Sequence, residues 1–321
     1  MTIQYKGASV PGPIGIKPDT LGGRVPGPLG ARIPDPLQFK KTDLSGSASR
    51  AVAKTLAMPA PTHGSKTILL ARAVDWNLSK ASPLTEDIKQ GELGTCPIGA
   101  ILAALANTPT GKNRINNLIT EYTGAAVKTT FSKDILDTLT SRFEGDREYR
   151  PPEKEILSKR YFSVNLDSTV EVSDVFYVRY TDGSDADMIF MGSAKEALWP
   201  CVIEKAFAAK IGNYDDLDDE SKHSANEFWT ILAGARPQVL SIDDKTDLNK
   251  IGAIAKAAAR VPAIGASKED ATLVFPDHGF AILGIDGSNI RLYNPHGKKE
   301  SVSLTNFRQN FKNILSGSPK A

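Results

Sequence analysis

The feature that most constrains the fold is the segment 97–106, PIGAILAALA, in which no side chain is polar. A helix that is apolar on every side must be surrounded by other elements, so the segment predicts a core helix inside a sizeable domain. Cys96 precedes this segment directly, and Pro97 suits the first turn of a helix. We therefore expect Cys96 at the N-terminus of a buried helix, a position that lowers the pKa of a thiol.

Cys96 has two interpretations at this point. Free cysteine is among the most buried residue types, so an inert core thiol is one of them. The other is a nucleophile, because a thiolate at a helix N-terminus beside an imidazolium is the reactive form. The only other cysteine, Cys201, falls on the apolar stripe of a predicted helix over residues 193–212 and is interpreted as inert. Two cysteines are too few for a disulfide framework.

His278 precedes the apolar run GFAILGID, and Asp286-Gly287 separates that run from a second one, NIRLYN. An Asp-Gly pair between two apolar runs predicts a β-hairpin. Facing residue numbers in an antiparallel pair sum to a constant, here near 574, which places His278 and Asn294 on the same face. A sum of about 573 or about 575 would place them on opposite faces. A histidine at a strand edge is more often structural, but an Asn that can fix its tautomer favours a catalytic one.

The rest of the folded part reads as an α+β arrangement, without the strict alternation of a dinucleotide-binding fold. Helices are expected to dominate the first half and strands the second. The expected helices cover residues 132–143, 193–212, 245–260 and 305–317, the last with Phe307, Phe311, Ile314 and Leu315 on one face. The expected strands cover residues 175–180 and 188–191 and a block over 261–294.

The N-terminal segment is of a different composition, since its first 37 residues hold seven of the 20 prolines and seven of the 26 glycines. We predict an extended or disordered arm over residues 1–45, a Cys-bearing subdomain over 46–221 and a His/Asn-bearing subdomain over 222–321. The arm could be a passive extension without a specific role, and it also has two functional interpretations. It either recruits an inhibitor, chaperone or export partner, which we favour, or covers the active-site cleft.

Charge and composition exclude several classes. Lys and Arg total 39 against 37 Asp and Glu, which argues against a nucleic-acid partner. No apolar run is long enough for a membrane span, and the first residues lack the apolar core of a signal peptide. We therefore expect cytoplasmic synthesis, with any export by a route without a cleavable signal peptide. The four histidines and two cysteines show no metal-ligand spacing, so neither metal nor cofactor is expected.

Several blocks, in order over residues 90–297, together resemble the calpain family of the papain superfamily. QGELGTC resembles the calpain active-site pattern Q-G-x-L-G-D-C-W. LWPCVIEKAFA resembles a later calpain helix, and GNYD resembles the segment that leaves that helix. ANEFWTILAG weakly resembles the junction between the two calpain subdomains. DHGFAI and NPHG resemble the histidine and asparagine blocks.

The resemblance implies a papain-like, two-lobed α+β cysteine endopeptidase, with a helical Cys lobe and a β-rich His/Asn lobe. It implies Cys96 as nucleophile, His278 as acid and base, Asn294 as the residue that orients the histidine, and Gln90 as an oxyanion donor. The substrate would be a protein or peptide. Alternatives are another thiol-dependent acyl transfer, such as that of an amidase or transglutaminase, and a catalytically silent binding protein.

The sequence departs from the calpain pattern at three places. Thr95 stands for the family's Asp, Pro97 for an aromatic residue, and His296 for the Trp that shields the histidine–asparagine pair. No EF-hand pattern occurs, and the acidic run over residues 215–220 lacks its spaced ligands, so calcium is not expected to be obligatory. A compact protease core behind an export-like arm suggests a secreted bacterial effector.

Overall fold

The structure is a computed structural model. It describes residues 67–73, 78, 82–91, 93–130, 155–181, 187–188, 191–192, 197–211, 217 and 222–320. The predicted arm over residues 1–45 and the helix predicted over 132–143 lie outside the described residues. So does the acidic run over 215–220, except for Leu217.

The described residues form six α-helices and twelve β-strands, beside a single short 3-10 turn at Thr85–Asp87. The helices are α1 Cys96–Ala106, α2 Pro109–Leu118, α3 Trp199–Ile211, α4 Ala225–Ala233, α5 Leu248–Ala257 and α6 Leu304–Asn310. The first six strands are β1 Thr67–Ala73, β2 Ile119–Thr130, β3 Glu155–Asn165, β4 Thr169–Ser173, β5 Val175–Thr181 and β6 Asp187–Met188. The others are β7 Gln238–Ser241, β8 Ala263–Ser267, β9 Gly279–Asp286, β10 Asn289–Asn294, β11 Lys298–Ser303 and β12 Phe311–Ser316.

The strands form three antiparallel sheets. Two have three strands each, in the orders β1-β5-β6 and β2-β3-β4, and the third has six strands in the order β11-β10-β9-β8-β12-β7. The α+β class is confirmed. The first half carries strands as well as helices, because β1 to β6 all lie between residues 67 and 188.

Helix α1 is the core helix that the apolar segment predicts. Ten of its eleven residues are buried, and it packs against β9 and β8 of the six-stranded sheet. Alternate side chains of β9 face opposite ways: Ala281 and Leu283 join the apolar cluster around α1. Phe280 and Ile282 join a second cluster that contains residues of α5 and α6. The sheet therefore carries α1 on one face and α5 and α6 on the other.

Two further predicted helices are confirmed with shorter bounds. Helix α3 begins at Trp199 and has Pro200 in its first turn, as expected for a residue without a backbone N–H. Helix α5 begins after Asp247, whose carboxylate accepts a hydrogen bond from the backbone N–H of Asn249 at 2.8 Å. Of the strands expected over 175–180 and 188–191, the first is confirmed as β5. Met188 of the second lies in β6, and residues 189–190 lie outside the described residues.

The helix expected over residues 305–317 is wrong in its second half. Helix α6 ends at Asn310, and the chain continues as β12, which pairs with β8 on one side and β7 on the other. Pairing on both sides satisfies the backbone groups that a longer helix would have satisfied itself. Phe311, Ile314 and Leu315 are buried in the strand as they would be in a helix, so the apolar pattern could not separate the two.

The β9–β10 hairpin has two registers. The connection is a two-residue turn in which Gly287 has φ +58°, the left-handed value that tight hairpin turns require. Next to the turn, the facing residue numbers sum to 575, and beyond a bulge at Leu283 they sum to 574. The bulge is decisive, because the register next to the turn would have placed His278 and Asn294 on opposite faces.

Candidate active site

Cys96 is the first residue of α1 and is buried. The first turn of α1 lies directly against the start of β9 and the end of β10, and two glycines make this approach possible. A Cβ at Gly279 would lie 3.2 Å from the Cys96 carbonyl oxygen, and a Cβ at Gly99 would lie 2.9 Å from Cβ of Pro295. The cysteine is therefore held beside the two strand ends that carry the predicted histidine and asparagine.

His278 and Asn294 are both buried and are joined by a hydrogen bond of 3.0 Å between His278 Nε2 and Asn294 Oδ1. Two further contacts fix the orientation of the amide. The backbone N–H of His296 donates to Asn294 Oδ1 at 3.0 Å, and Asn294 Nδ2 donates to a carboxylate oxygen of Glu300 at 2.9 Å. A flipped amide would face a donor with its NH₂ group and a carboxylate with its oxygen, so the assignment is unambiguous.

This hydrogen bond determines the tautomer of His278. Since Asn294 Oδ1 carries no hydrogen, Nε2 must be the donor, and in the neutral ring the lone pair is then on Nδ1. The ring thus presents a proton acceptor on the side away from Asn294. This is the arrangement that a general base next to a thiol requires.

Three aromatic rings surround the imidazole of His278. Its ring centroid lies 5.0 Å from that of His296, with the two rings nearly parallel at 7°. Phe280 and Phe275 approach at 5.0 and 5.2 Å, both with an edge towards the other ring. His296, which stands at the position of a tryptophan in the pattern that the sequence resembles, thus stacks on His278, and Phe275 packs against both imidazoles.

Burial lowers the pKa of His278 to about 4; the hydrogen bond to Asn294 acts in the opposite direction, and the nearby His296 adds to the lowering. Without a thiolate beside it, the imidazole of His278 is therefore neutral near pH 7, and its Nδ1 can accept a proton. A charged ring in this site is favoured only together with a thiolate beside it, because the negative charge offsets the cost of burial.

Gln90 is buried close to the same strand end. Its backbone N–H donates to the carbonyl of Pro295 at 2.7 Å, and Tyr293 Oη donates to the carbonyl of Ile88 at 2.6 Å. The side-chain Nε2 donates to the carbonyl of Leu93 at 2.7 Å, while Oε1 has no partner among the described residues. One amide hydrogen is thus engaged within the loop, and the predicted oxyanion contact would use the other.

Thr95 and Glu204 form a buried contact that the sequence reasoning missed. The Thr95 hydroxyl donates to one carboxylate oxygen of Glu204 at 2.6 Å, and the backbone N–H of Met191 donates to the other at 2.7 Å. The residue before Cys96 is therefore tied to α3 and faces the interior. The available signal was the pair Glu204-Lys205 in the middle of a mostly apolar helix, since charged residues are seldom buried without partners.

Glu300 was also missed, and the strand pairing explains its contact with Asn294. Glu300 faces Leu292 across the β10–β11 ladder, and Leu292 is two residues before Asn294 on the same strand. All three side chains therefore share one face of the sheet. Glu300 lies six residues after Asn294 in the sequence, but only the register of the second hairpin brings them together.

Two further features are absent from the described part of the chain. Among these residues, His, Cys, Asp and Glu form no group of three that could hold a metal ion. No helix in the same part of the chain has the length and apolar character needed to cross a membrane.

Comparison with known proteins identifies a family. A family model described as calpain family cysteine protease matches residues 70–303, well over half of the chain. No curated protein sequence matches significantly. The matched range includes all four residues predicted for the site and both glycines that allow α1 to approach the strands.

Proposed function

We propose, for a chain that belongs to the calpain family of cysteine proteases, that Cys96, His278 and Asn294 form the catalytic triad of an endopeptidase. As a member of that family the protein is a cysteine peptidase that acts on protein substrates. The observation that carries the assignment of the triad is the 3.0 Å hydrogen bond from His278 Nε2 to Asn294 Oδ1. Because this bond leaves Nδ1 as the proton acceptor, it supports His278 as the base.

In the first step, Sγ of Cys96 attacks the carbonyl carbon of the scissile bond, and the thiol proton passes to Nδ1 of His278. The oxygen of the tetrahedral intermediate is stabilised by the backbone N–H of Cys96 and by the free hydrogen of Gln90 Nε2. The position of Cys96 at the start of α1 supports this step, since the helix dipole favours negative charge there.

In the second step, the imidazolium of His278 donates its proton to the leaving amine, the C–N bond breaks, and an acyl-enzyme on Cys96 remains. Water then gives a proton to Nδ1 and attacks the thioester, which releases the acid and restores the thiol. Asn294 keeps the ring in one tautomer and one orientation throughout. Glu300 supports Asn294 by accepting a hydrogen bond from its side-chain amide nitrogen.

We further propose that this chemistry does not require calcium. Hydrolysis of unfolded casein and of internally quenched peptides should be measured with the full chain, with excess EGTA and with added calcium. Equal rates under both conditions are expected. A rate that vanishes in EGTA and returns with calcium would contradict calcium independence while leaving the peptidase assignment intact. Incorporation of a primary amine in place of hydrolysis would instead indicate a transglutaminase.

We also propose the role of a secreted effector, which is supported by the Pro/Gly-rich arm over residues 1–45 ahead of a protease domain. If this arm recruits an export partner, its removal should leave peptide hydrolysis unchanged and abolish delivery from the producing cell. A several-fold gain in hydrolysis on removal would indicate that the arm covers the cleft.

A further inference from the structure

Two large apolar side chains on the loop before His278 face solvent. Leu273 and Phe275 are 56% and 57% exposed, the highest values among the large apolar residues in the described part of the chain. Val274 between them is buried in the cluster with α5 and α6 and anchors the loop to the domain. Single exposed apolar residues need no explanation, but two on one loop next to a catalytic residue indicate a contact surface.

The loop is held in place by buried polar side chains. Asn310 Oδ1 accepts hydrogen bonds from the backbone N–H groups of Thr272 and Leu273, at 2.9 and 3.1 Å. The hydroxyl of Ser267 donates to the carbonyl of Phe275 at 2.7 Å and accepts from the backbone N–H of His278 at 2.8 Å. Two buried side chains thus fix the backbone that presents the exposed pair, which preorganises the surface for binding.

The loop also turns sharply just before His278 and β9. Asp277 has φ +44°, a left-handed value that non-glycine residues seldom adopt, and its backbone N–H donates to the carbonyl of Lys268 at 3.0 Å. This turn brings the ring of Phe275 to 5.2 Å from the imidazole of His278 and 5.7 Å from that of His296, measured between ring centroids.

We propose that Leu273 and Phe275 bind an apolar side chain on the leaving segment of the substrate, at the residue directly after the scissile bond. This inference rests on the proposed function, because His278 must deliver its proton to the amine of that same residue. A residue whose nitrogen contacts the imidazole has its side chain within reach of the ring edge of Phe275. The occupant is a substrate side chain, since the surface is continuous with the proposed catalytic histidine.

The test is a series of quenched peptides that share the acyl segment and differ only at the first residue of the leaving segment, with Leu, Phe, Ser or Asp there. The kcat/KM values are compared for the wild type, Leu273→Ser and Phe275→Ser. Val239→Ser is the matched control, because Val239 is 50% exposed on β7, at the edge of the sheet three strands from β9. The ratio between peptides is the readout, so a general loss of rate in Phe275→Ser does not affect it.

We expect the wild type and Val239→Ser to prefer Leu and Phe over Ser and Asp by about tenfold or more. Each loop variant should reduce that ratio several-fold. A wild type that cleaves all four peptides equally, or loop variants that keep the preference, would overturn the inference and leave the peptidase proposal standing. A wild type that cleaves none of them, nor casein, would overturn both.

Discussion

Replacement of Cys96 by serine is expected to lower kcat/KM for peptide hydrolysis by at least about 1,000-fold. A hydroxyl at this position is a far weaker nucleophile than a thiol, since almost none of it is ionised near neutral pH. The substitution replaces one sulfur atom by oxygen at the first residue of α1 and leaves the hydrogen bond between His278 and Asn294 in place. Steady-state kinetics on one quenched peptide, with circular dichroism to establish folding, would measure the effect.

The matched control is Cys201→Ala. Cys201 is the only other cysteine, is buried in α3, and belongs to the apolar cluster around α1. Its truncation should cost about 1 kcal/mol of folding free energy and leave kcat/KM within about twofold of the wild type. If Cys96→Ser kept the wild-type rate, or if Cys201→Ala abolished it, the assignment of the nucleophile would be wrong.

Folding stability should fall steeply as the pH drops below 6.5, and His278 should cause a large part of the fall. Burial holds the pKa of His278 at about 4 in the folded state, against 6.5 in an unfolded chain. Between pH 6.5 and about 4, His278 therefore binds a proton in the unfolded state but stays neutral in the folded state. Stability that is fully present above pH 6.5 is lost as the pH falls, by about 2 kcal/mol between pH 7 and 5 and about 3 kcal/mol at pH 4.

Urea unfolding of the wild type and of His278→Gln at several pH values would test this expectation. His296, whose pKa burial also lowers, adds a slope of the same sign, so the comparison between the two proteins isolates the part due to His278. The free energy of unfolding of His278→Gln should vary less with pH than that of the wild type. Parallel pH profiles for the two proteins would show that the pKa of His278 is the same in the folded and the unfolded state, and would contradict this expectation.

Much of the site could be predicted because its signals are local. The apolar run after Cys96 specifies a buried helix that begins at the cysteine, and the Asp-Gly between two apolar runs specifies a hairpin. The pairing of His278 with Asn294 is harder to predict. It depends on the sum of facing residue numbers, and this sum differs by one on the two sides of the bulge at Leu283. No sequence signal marks that bulge apart from Gly284 beside it.

Contacts between distant elements could not be predicted. The carboxylate of Glu204 and the hydroxyl of Thr95 are 109 residues apart, and their contact depends on how α3 packs behind the start of α1. The same limit explains the error at the C-terminus. The apolar residues within 311–316 lie at positions that suit a helix or a strand. Only backbone pairing with β7 on one side and β8 on the other favours the strand.

The exposed loop before His278 was overlooked for a different reason. Its sequence, ATLVFPDH, reads as the start of a strand-rich block, in which alternate residues would be buried. Val274 does follow this pattern and is buried. The neighbouring Leu273 and Phe275 would ordinarily pack against another layer, but here both remain exposed, and the ring of Phe275 lies beside the imidazole. Only the fold shows that these two side chains are left exposed.

Alkylation of the two cysteines is the measurement that tests the central claim most directly, because it needs no knowledge of the substrate. Wild type and His278→Gln are treated with iodoacetamide at pH 7, and the modified residues are mapped and timed by mass spectrometry. Activation by His278 predicts that Cys96 is labelled in the wild type while Cys201 is not. It also predicts that the rate at Cys96 falls about tenfold or more in His278→Gln. Equal rates at Cys96 in both proteins, or equal labelling of Cys96 and Cys201 in the folded wild type, would contradict the account.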